Sequence, residues 1–168
     1  RAQETTVEVN ISYDISNCTD LQNMEYNLSG IYTLMNDIDC SETINWNSGK
    51  GFRPIGNDTN PFTGTFDGNN HVISNLYINN PSENYVGLFG YINESNIKNV
   101  ILENISIFGF NFVGGLVGYS NFSIILNSST TGSLTTGPGI RGGLVGMLSS
   151  SFLSNSFSTA RVSSESEA

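Results

Sequence analysis

A motif of the form Gly–Leu–apolar–Gly recurs at a constant spacing, and this repeat constrains the fold more than any other feature of the chain. Its three copies are Gly87–Gly90, Gly115–Gly118 and Gly143–Gly146, so that 115 − 87 and 143 − 115 both equal 28. A second motif keeps the same register and ends on Asn99, Asn127 and Asn155. Two motifs in phase over three copies indicate a chain built from repeated structural units.

A repeat of this length and composition predicts a coil of short strands. Each copy holds short apolar segments interrupted by glycine and asparagine, and one copy is too small to bury its apolar face alone. Parallel stacking would place Leu88, Leu116 and Leu144 above one another in a continuous core and would pair the backbones of successive coils. The sequence therefore predicts an all-β fold, a parallel β-helix (β-solenoid) with coils of about 28 residues.

The glycine and asparagine positions of the repeat each permit two interpretations. Glycines at the first motif position provide either a positive φ angle or room for a neighbouring coil to approach closely; these are Gly87, Gly115 and Gly143. The asparagines of the second motif form either an amide ladder along the stack or turn positions. An earlier, degenerate copy of the second motif is predicted at Ile73–Asn75, since 99 − 75 = 24 makes that coil four residues shorter.

The N-terminal part of the chain follows a different pattern. Thr6–Tyr13 alternates apolar and polar residues, which predicts a β-strand. A short helix is predicted over Asp20–Met24, behind an N-cap at Ser16 or Thr19. The predicted organisation is an N-terminal strand in residues 1–12, a cap and first coil in 13–45, solenoid coils in 46–162 and a loose tail in 163–168.

Net charge and hydropathy exclude several classes of partner. The chain carries a formal net charge of −9, and its basic residues lie far apart; they are Arg1, Lys50, Arg53, Lys98, Arg141 and Arg161. Nucleic acid and anionic membrane surfaces bind clustered cations, so neither is an expected partner. No apolar run approaches the roughly 18 residues of a membrane span, and no signal-peptide pattern is visible at Arg1.

Two cysteines and eight N-glycosylation sequons indicate in which cellular or extracellular compartment the chain resides. Cys18 and Cys40 form either a disulfide, which would indicate an oxidising compartment, or two unpaired thiols. The number of sequons, eight, is only modestly larger than the roughly five expected by chance in a chain so rich in Asn, Ser and Thr. They predict N-glycosylation if the protein is secreted by a eukaryotic cell. They begin at Asn10, Asn17, Asn27, Asn57, Asn93, Asn104, Asn121 and Asn127.

Residues able to carry chemistry are few. His71, the single histidine, is either a base near Asp67 or a turn residue, and the turn is favoured. Asp37 and Asp39 would share one face of a strand; they are either a calcium or catalytic pair or, as favoured, acceptors for backbone N–H groups. No zinc-peptidase or nucleophile-elbow motif occurs, so we expect no enzyme activity, no metal and no cofactor.

Tyrosines in the repeat region have two interpretations of equal weight. Tyr77, Tyr85, Tyr91 and Tyr119 form either an exposed aromatic stripe that binds sugars or a covering over the coils. Tyr91 and Tyr119 are one repeat apart, since 119 − 91 = 28, which predicts that their rings stack.

The order of motifs resembles the GLUG-repeat family, named for its Gly–Leu–apolar–Gly core. The resemblance covers roughly residues 13–160 and includes the segments upstream of the repeats, among them Leu34–Asp39, Phe52–Gly56 and Phe62–Gly68. It implies a parallel β-helix of large secreted or surface proteins, including adhesins and regions of some IgA-cleaving peptidases. It implies no shared catalytic residue.

These observations predict a non-catalytic extracellular or cell-surface protein with a structural or adhesive role. The alternatives are a β-helix enzyme that processes polysaccharides and a monomeric glycan-binding module. A head-to-tail filament of this chain is a further expectation, because Thr6–Tyr13 could add to the open end of a neighbouring subunit. The same strand could instead pair with its own first coil, which would leave the protein monomeric.

Overall fold

The computed structural model describes residues 2–7 and 9–164, and it confirms the predicted β-solenoid. Short parallel strands stack from coil to coil around a single core. The strands are β1 (Ser12–Ile15), β2 (Ile31–Leu34), β3 (Ile38–Asp39), β4 (Thr65–Asp67), β5 (Val72–Ser74), β6 (Tyr77–Val86), β7 (Phe89–Asn93), β8 (Asn96–Lys98), β9 (Ile101–Gly114), β10 (Val117–Asn121), β11 (Ile124–Leu126), β12 (Ser129–Thr136), β13 (Arg141–Gly142), β14 (Val145–Ser149), β15 (Phe152–Ser154), β16 (Phe157–Ser158) and β17 (Arg161–Ser164).

The strands form three parallel sheets, which are the sides of the coil. The first sheet has the order β1-β2-β4-β8-β11-β15, and the second has the order β14-β10-β7. The third has the order β16-β12-β9-β5-β3, with β6, β13 and β17 paired to its members. No helix among the described residues is long and apolar enough to cross a membrane.

Each repeat motif occupies the same place in successive coils. Ile97 pairs with Ile125, which pairs with Leu153, and these steps keep the 28-residue spacing. Leu88 and Leu116 are fully buried, and Leu144 is nearly so. Their burial places the repeated leucines in the core, as the stacking argument requires.

The glycines of the repeat allow close approach of neighbouring coils, which decides between the two interpretations of these positions. Gly87, Gly115 and Gly143 all lack a positive φ angle. A Cβ atom on Gly87 would lie 2.6 Å from the carbonyl oxygen of Gly114, and one on Gly115 would lie 2.7 Å from that of Gly143. Any larger side chain would therefore force adjacent coils apart.

A short helix and a disulfide close the N-terminal side of the core. The helix α1 spans Cys18–Asn23, a 3₁₀ turn follows at Met24–Tyr26, and a longer 3₁₀ segment, Ser41–Gly49, is interrupted by non-helical backbone. The predicted N-caps were wrong, since the side chain of Asn17 accepts the backbone N–H of Asp20 at 2.8 Å. Cys18 and Cys40 form the predicted disulfide, with a Cα–Cα distance of 5.5 Å.

The predicted strand over Thr6–Tyr13 is wrong in its bounds. The first strand is β1, and the described residues before Ser12 have no regular structure. Val7 is 81% exposed, and Val9 and Ile11 are also exposed. Alternation alone does not make a strand, because the backbone needs a partner, and β2 offers one to Ser12–Ile15 alone. At the other end, β17 includes residues 163 and 164 of the predicted tail, and residues 165–168 lie outside the described part.

The register of the degenerate copy also differs from the prediction. Phe66 and Asp67, not Ile73–Asn75, pair with Ile97 and Lys98. Ile73 pairs with Leu102 on the third side of the coil. The coil between these strands is longer than 28 residues rather than shorter, since 97 − 66 = 31.

Candidate functional site

An aromatic cluster lies at the corner where β6 and β9 approach the second sheet. The rings of Tyr91 and Tyr119 stack as predicted, with centroids 4.7 Å apart and planes 17° apart. Tyr85 stacks on Phe112 at 5.1 Å and 6°, and the two stacked pairs meet edge to face. All four rings are partly exposed, so the cluster forms part of the outer surface.

Membership of the cluster differs from the predicted stripe in two ways. Tyr77 lies apart and packs against Phe108, with centroids 6.2 Å apart. Phe112 belongs to the cluster although the sequence reasoning did not include it. Its spacing of 112 − 85 = 27 from Tyr85, nearly one coil, is the signal that could have found it.

Tyr85 and Phe112 hold an unusual backbone conformation. Their φ angles are +61° and +49°, in the left-handed region that bulky side chains rarely adopt. Such a residue costs about 1–3 kcal/mol and persists where the surroundings determine it. Here the next residues, Val86 and Val113, are fully buried and pair with each other, so the core fixes the corner while the rings turn outward.

A groove adjoins the Tyr85 ring on the side of the preceding coil. Its volume is about 310 Å³, and a second hollow of about 550 Å³ continues from it around Asn57–Asn60. The groove is lined by Asn47, Lys50, Gly51, Phe52, Arg53, Pro54, Gly56, Asn57, Asn80, Glu83, Asn84, Tyr85 and Val86.

An irregularity in β6 forms one wall of the groove. Asn80 pairs with Gly109 and Asn84 with Asn111, so three residues on β6 oppose one on β9. Pro81, Ser82 and Glu83 therefore bulge outward. Bulges of this kind re-aim side chains and are common beside binding sites.

Arg53 is held in place on the opposite wall. Its guanidinium forms an ion pair with Glu25 and donates to Asn47 Oδ1 at 2.6 Å. The hydrogen bond to Glu25 raises the pKa of Arg53. The side-chain amide of Gln22 accepts from the backbone N–H of Arg53 at 2.8 Å and donates to its carbonyl at 3.1 Å. Among the residues described, Lys50 forms no ion pair.

Asp37 and Asp39 serve as acceptors in turns, as the favoured interpretation expects. Asp37 accepts from the backbone N–H of Val72 at 2.9 Å, which is the main cause of its lowered pKa, and lies 3.2 Å from Nδ1 of His71. The partner of His71 is thus Asp37 rather than Asp67. Asp39 accepts from Asn75 Nδ2 at 2.9 Å, and this bond is the main cause of its lowered pKa. Within the described residues, no three His, Cys, Asp or Glu side chains group as metal ligands.

Amide ladders run along the outside of the coils. Asn127 Nδ2 donates to Asn99 Oδ1 at 3.2 Å, and Asn99 Nδ2 donates to Asp67 at 2.9 Å. Asn99, Asn127 and Asn155 also have positive φ angles. Asn99 and Asn127 therefore form an amide ladder and also occupy turn positions, which combines the two interpretations that the sequence left open. Asn155 occupies the same turn position. Asp67, which the repeat alignment missed, ends the ladder.

We expect Asp67→Asn to lower the free energy of unfolding by about 1 kcal/mol at neutral pH, because the amide oxygen still accepts hydrogen bonds but the charge that strengthens them is lost. Burial alone would raise the pKa of Asp67, but bonds from Asn99 and Asn69 and the charge of Lys98 lower it overall. Its stabilisation is therefore present above the ordinary aspartate value of 3.8 and lost as pH falls below it.

Urea denaturation of both proteins between pH 7 and pH 3 measures this difference, which should shrink on acidification. The exposed Asp14 supplies the control, Asp14→Asn, which should match the wild type at every pH. A constant gap between wild type and Asp67→Asn across that range would contradict the assignment.

Serines that are buried (Ser95, Ser123) or partly buried (Ser151) form a second ladder that the sequence analysis did not predict. Ser123 Oγ accepts the backbone N–H of Ser95 at 3.0 Å, and Ser151 Oγ accepts that of Ser123 at 3.1 Å. Each bond spans 28 residues, so the repeat spacing was the available signal.

The sequons fall into two structural groups. Asn104, Asn121 and Asn127 use their side-chain nitrogens in ladder bonds to asparagines of the preceding coil. Asn104 lies in β9, and Asn127 lies in the turn after β11 rather than in a strand. The others do not donate ladder bonds from that nitrogen; they are Asn10, Asn17, Asn27, Asn57 and Asn93.

Comparisons with known proteins agree with the fold and cover only parts of longer relatives. The chain is 43% identical over 111 residues to Halomucin of Haloquadratum walsbyi. This match covers 61% of this chain and 1% of Halomucin. It is also 37% identical over 78 residues to a "Putative Gly-rich membrane protein" of Evansella cellulosilytica. That match covers 46% of this chain and 8% of the relative. No family model matches the chain.

One solved structure is similar over most of the chain. It is a crystal structure named for a "putative immunoglobulin A1 protease" from Bacteroides ovatus, with a TM-score of 0.66 and 27% identity. The match covers 89% of this chain and 47% of that chain, so this chain spans about half of its solved relative. The likeness supports the β-helix fold independently of the repeat argument.

Proposed function

We propose that this chain is a non-catalytic structural and adhesive segment of an extracellular or cell-surface protein. The observation that carries the proposal is the partly exposed aromatic cluster beside a polar groove, on a corner fixed by the solenoid core. Rigid strands hold such a surface in a defined geometry, which favours recognition. The buried disulfide is compatible with the oxidising compartment that the proposal requires.

The proposal includes membership of the GLUG-repeat family. Its support is positional: the three Gly–Leu–apolar–Gly motifs enter the second sheet at β7, β10 and β14, one in each successive coil. The motif glycines at Gly87 and Gly115 admit the neighbouring coil, and the leucines fill the core. The glycines and leucines of the motif thus have the same structural role in successive coils.

An enzyme is the alternative that the Bacteroides ovatus protein's name raises. The carboxylates of Asp37, Asp39 and Asp67 are engaged in turn and ladder hydrogen bonds, and their lowered pKa values keep them ionised at neutral pH. Ionised carboxylates with these partners suit stabilisation of turns better than general acid catalysis. This arrangement supports the non-catalytic proposal.

An array of matrix proteins and oligosaccharides tests adhesion, and incubation with immunoglobulin A and an acidic polysaccharide tests catalysis. We expect retention on particular spots and no new peptide termini or reducing ends by mass spectrometry. Fragments that form with the wild type and disappear with Asp37→Asn would establish the enzyme instead. Failure to bind any spot would remove the adhesive part of the proposal.

Self-assembly is a second candidate, favoured by exposed apolar residues at both ends of the described solenoid. Phe152 in β15 is 60% exposed, and Phe157 in β16 is similarly exposed. Val7 and Val9 protrude from the N-terminal segment, and residues 2–7 and 9–11 of that segment pair with no described strand. One copy's N-terminal segment would add beside β15 of the next and repeat head to tail.

Deletion of residues 1–11 leaves β1 intact and tests this contact. We expect the particle mass measured by light scattering to fall to that of a monomer. The double variant Val7→Ser, Val9→Ser should act in the same direction, because it removes the apolar face while keeping the chain length. An identical mass with and without the segment would show that strand donation is wrong.

A further inference from the structure

We propose that the groove beside Tyr85 binds a pyranose ring of a neutral glycan, with an apolar face of the sugar against the tyrosine ring. This inference rests on the proposed adhesive function and names its ligand class.

The stacked rings of Phe112 and Tyr85 form a short column along the solenoid, and this column ends at Tyr85. Phe112 covers one face of the Tyr85 ring, with planes 6° apart, and the ring borders the groove on the side of the preceding coil. That coil supplies Gly51 and Gly56 to the groove lining, both with positive φ angles. Neither glycine carries a side chain that could cover the Tyr85 ring, so the next place in the column is available to a ring supplied by a ligand.

The size of the groove fits a small ring. A volume of about 310 Å³ lies at the lower limit of ligand pockets, which run from roughly 300 to 1,000 Å³. The continuing hollow around Asn57–Asn60 offers space for further sugar units. A short stretch of a glycan chain could then lie across the corner.

The polar rim favours a sugar over a purely aromatic ligand. Side-chain amides of Asn47, Asn57, Asn80 and Asn84 surround the groove, and each amide can donate and accept hydrogen bonds. Hydroxyl groups of a pyranose can pair with the side-chain amides of Asn80 and Asn84, whereas an apolar ring would offer these amides no hydrogen bond. The C–H groups on a sugar face carry a slight positive charge, which suits the negative face of a tyrosine ring.

Charge favours a neutral sugar. Lys50 and Glu83 bring opposite charges to the groove, and the Arg53 guanidinium is already paired with Glu25. The whole chain carries a net charge of −9, which repels polyanions at long range. A uronic-acid chain is therefore a poorer ligand than a neutral one.

The wall residues are held before a ligand arrives. Asn47 accepts from Arg53 and donates to the carbonyl of Gly51 at 2.7 Å, so its amide is fixed by two partners. The bulge at Pro81–Glu83 places Glu83 at the rim. Preorganisation of this kind reduces the cost of ordering side chains on binding.

Titration calorimetry and NMR with tetrasaccharides of glucose, mannose, galactose and N-acetylglucosamine test the assignment. We expect at least one neutral tetrasaccharide to bind and to shift the ring resonances of Tyr85. Tyr85→Asn removes the ring and suits the left-handed backbone, since asparagine tolerates a positive φ angle. It should weaken binding at least about tenfold, which corresponds to 1.4 kcal/mol.

Two controls and one further groove variant make the result specific. Tyr85→Phe keeps the ring and should retain binding within a few-fold. Tyr13→Ala removes an exposed tyrosine of β1 that does not line the groove, and it should leave binding unchanged. Glu83→Gln should weaken binding several-fold while unfolding temperature stays the same. Circular dichroism and thermal unfolding verify that every variant is folded.

The assignment is overturned if no neutral tetrasaccharide binds, if a uronic-acid tetrasaccharide binds more tightly than all of them, or if Tyr85→Asn binds as the wild type does. If one of these outcomes occurs while the wild type is still retained on spots of the array, the adhesive function stands and this groove is not its binding site. Loss of all array binding by the wild type would instead remove the adhesive function itself.

Discussion

We expect Leu116→Ala to lower the free energy of unfolding by roughly 2–5 kcal/mol, the range for truncation of a buried leucine. Leu116 is 0% exposed and lies between Leu88 and Leu144 along the stack. Its backbone N–H donates to the carbonyl of Leu144 at 2.9 Å, so the next coil fixes its position. A cavity here cannot close by local collapse, because coils above and below hold the backbone in place.

Urea denaturation followed by circular dichroism measures the loss. The matched control is Leu148→Ala in β14, where the side chain is 39% exposed and the same truncation should cost less than about 1 kcal/mol. Equal losses in the two variants would show that Leu116 does not occupy a packed core. In a solenoid each coil contacts its neighbours, so Leu116→Ala should also broaden the transition by uncoupling the coils on either side.

Removal of the disulfide by Cys18→Ser with Cys40→Ser should lower the free energy of unfolding by about 3 kcal/mol. The bridge closes a loop with a sequence separation of 22 residues, and a loop of this size gives a stabilisation of that order. Both cysteines are buried, so two hydroxyl groups would also remain in an apolar setting. The helix α1 depends on this link to cover the end of the core with Leu21 and Met24.

Hydrogen exchange locates the effect. The amide of Leu21, which donates to the carbonyl of Asn17, should exchange much faster in the double variant, while amides of β10 should change less. Thr19→Ala, an exposed change in the same helix, is the control and should leave exchange and stability close to wild type. Uniform acceleration across all coils would mean that the bridge stabilises the whole chain rather than its N-terminal side.

The repeat made the fold predictable because identical motifs must occupy identical positions in successive coils. Where that identity fails, the prediction fails too. Asp67 replaces asparagine at the end of a ladder and lies in a 31-residue coil, so alignment by spacing selected Ile73–Asn75 instead. The N-terminal segment alternates apolar and polar residues, but its described residues before Ser12 lie beside no strand. Sequence alternation contains no information about the presence of a partner strand.

The candidate site was harder to predict because it arises where the repeat is irregular. Ile78 pairs with Ile107, 29 residues on, and Val86 with Val113, 27 residues on, so two extra residues bulge from β6 beside the groove. Phe112 joins Tyr85 through that altered spacing. The groove also needs residues from the 3₁₀ segment and the loop after it, and only the folded chain brings them to the same corner.

The constant register of β7, β10 and β14 has a consequence for how such a chain can change in length. Insertion of one whole copy of residues 96–123 would add one layer, about 4.8 Å of height, and would present to each neighbour the same hydrogen-bond donors and acceptors that it replaces. Insertion of a different number of residues within a strand would interrupt the pairing locally, as the bulge in β6 does. Duplication of whole copies therefore lengthens the solenoid in steps of equal height and leaves the groove beside Tyr85, in the preceding coil, unchanged.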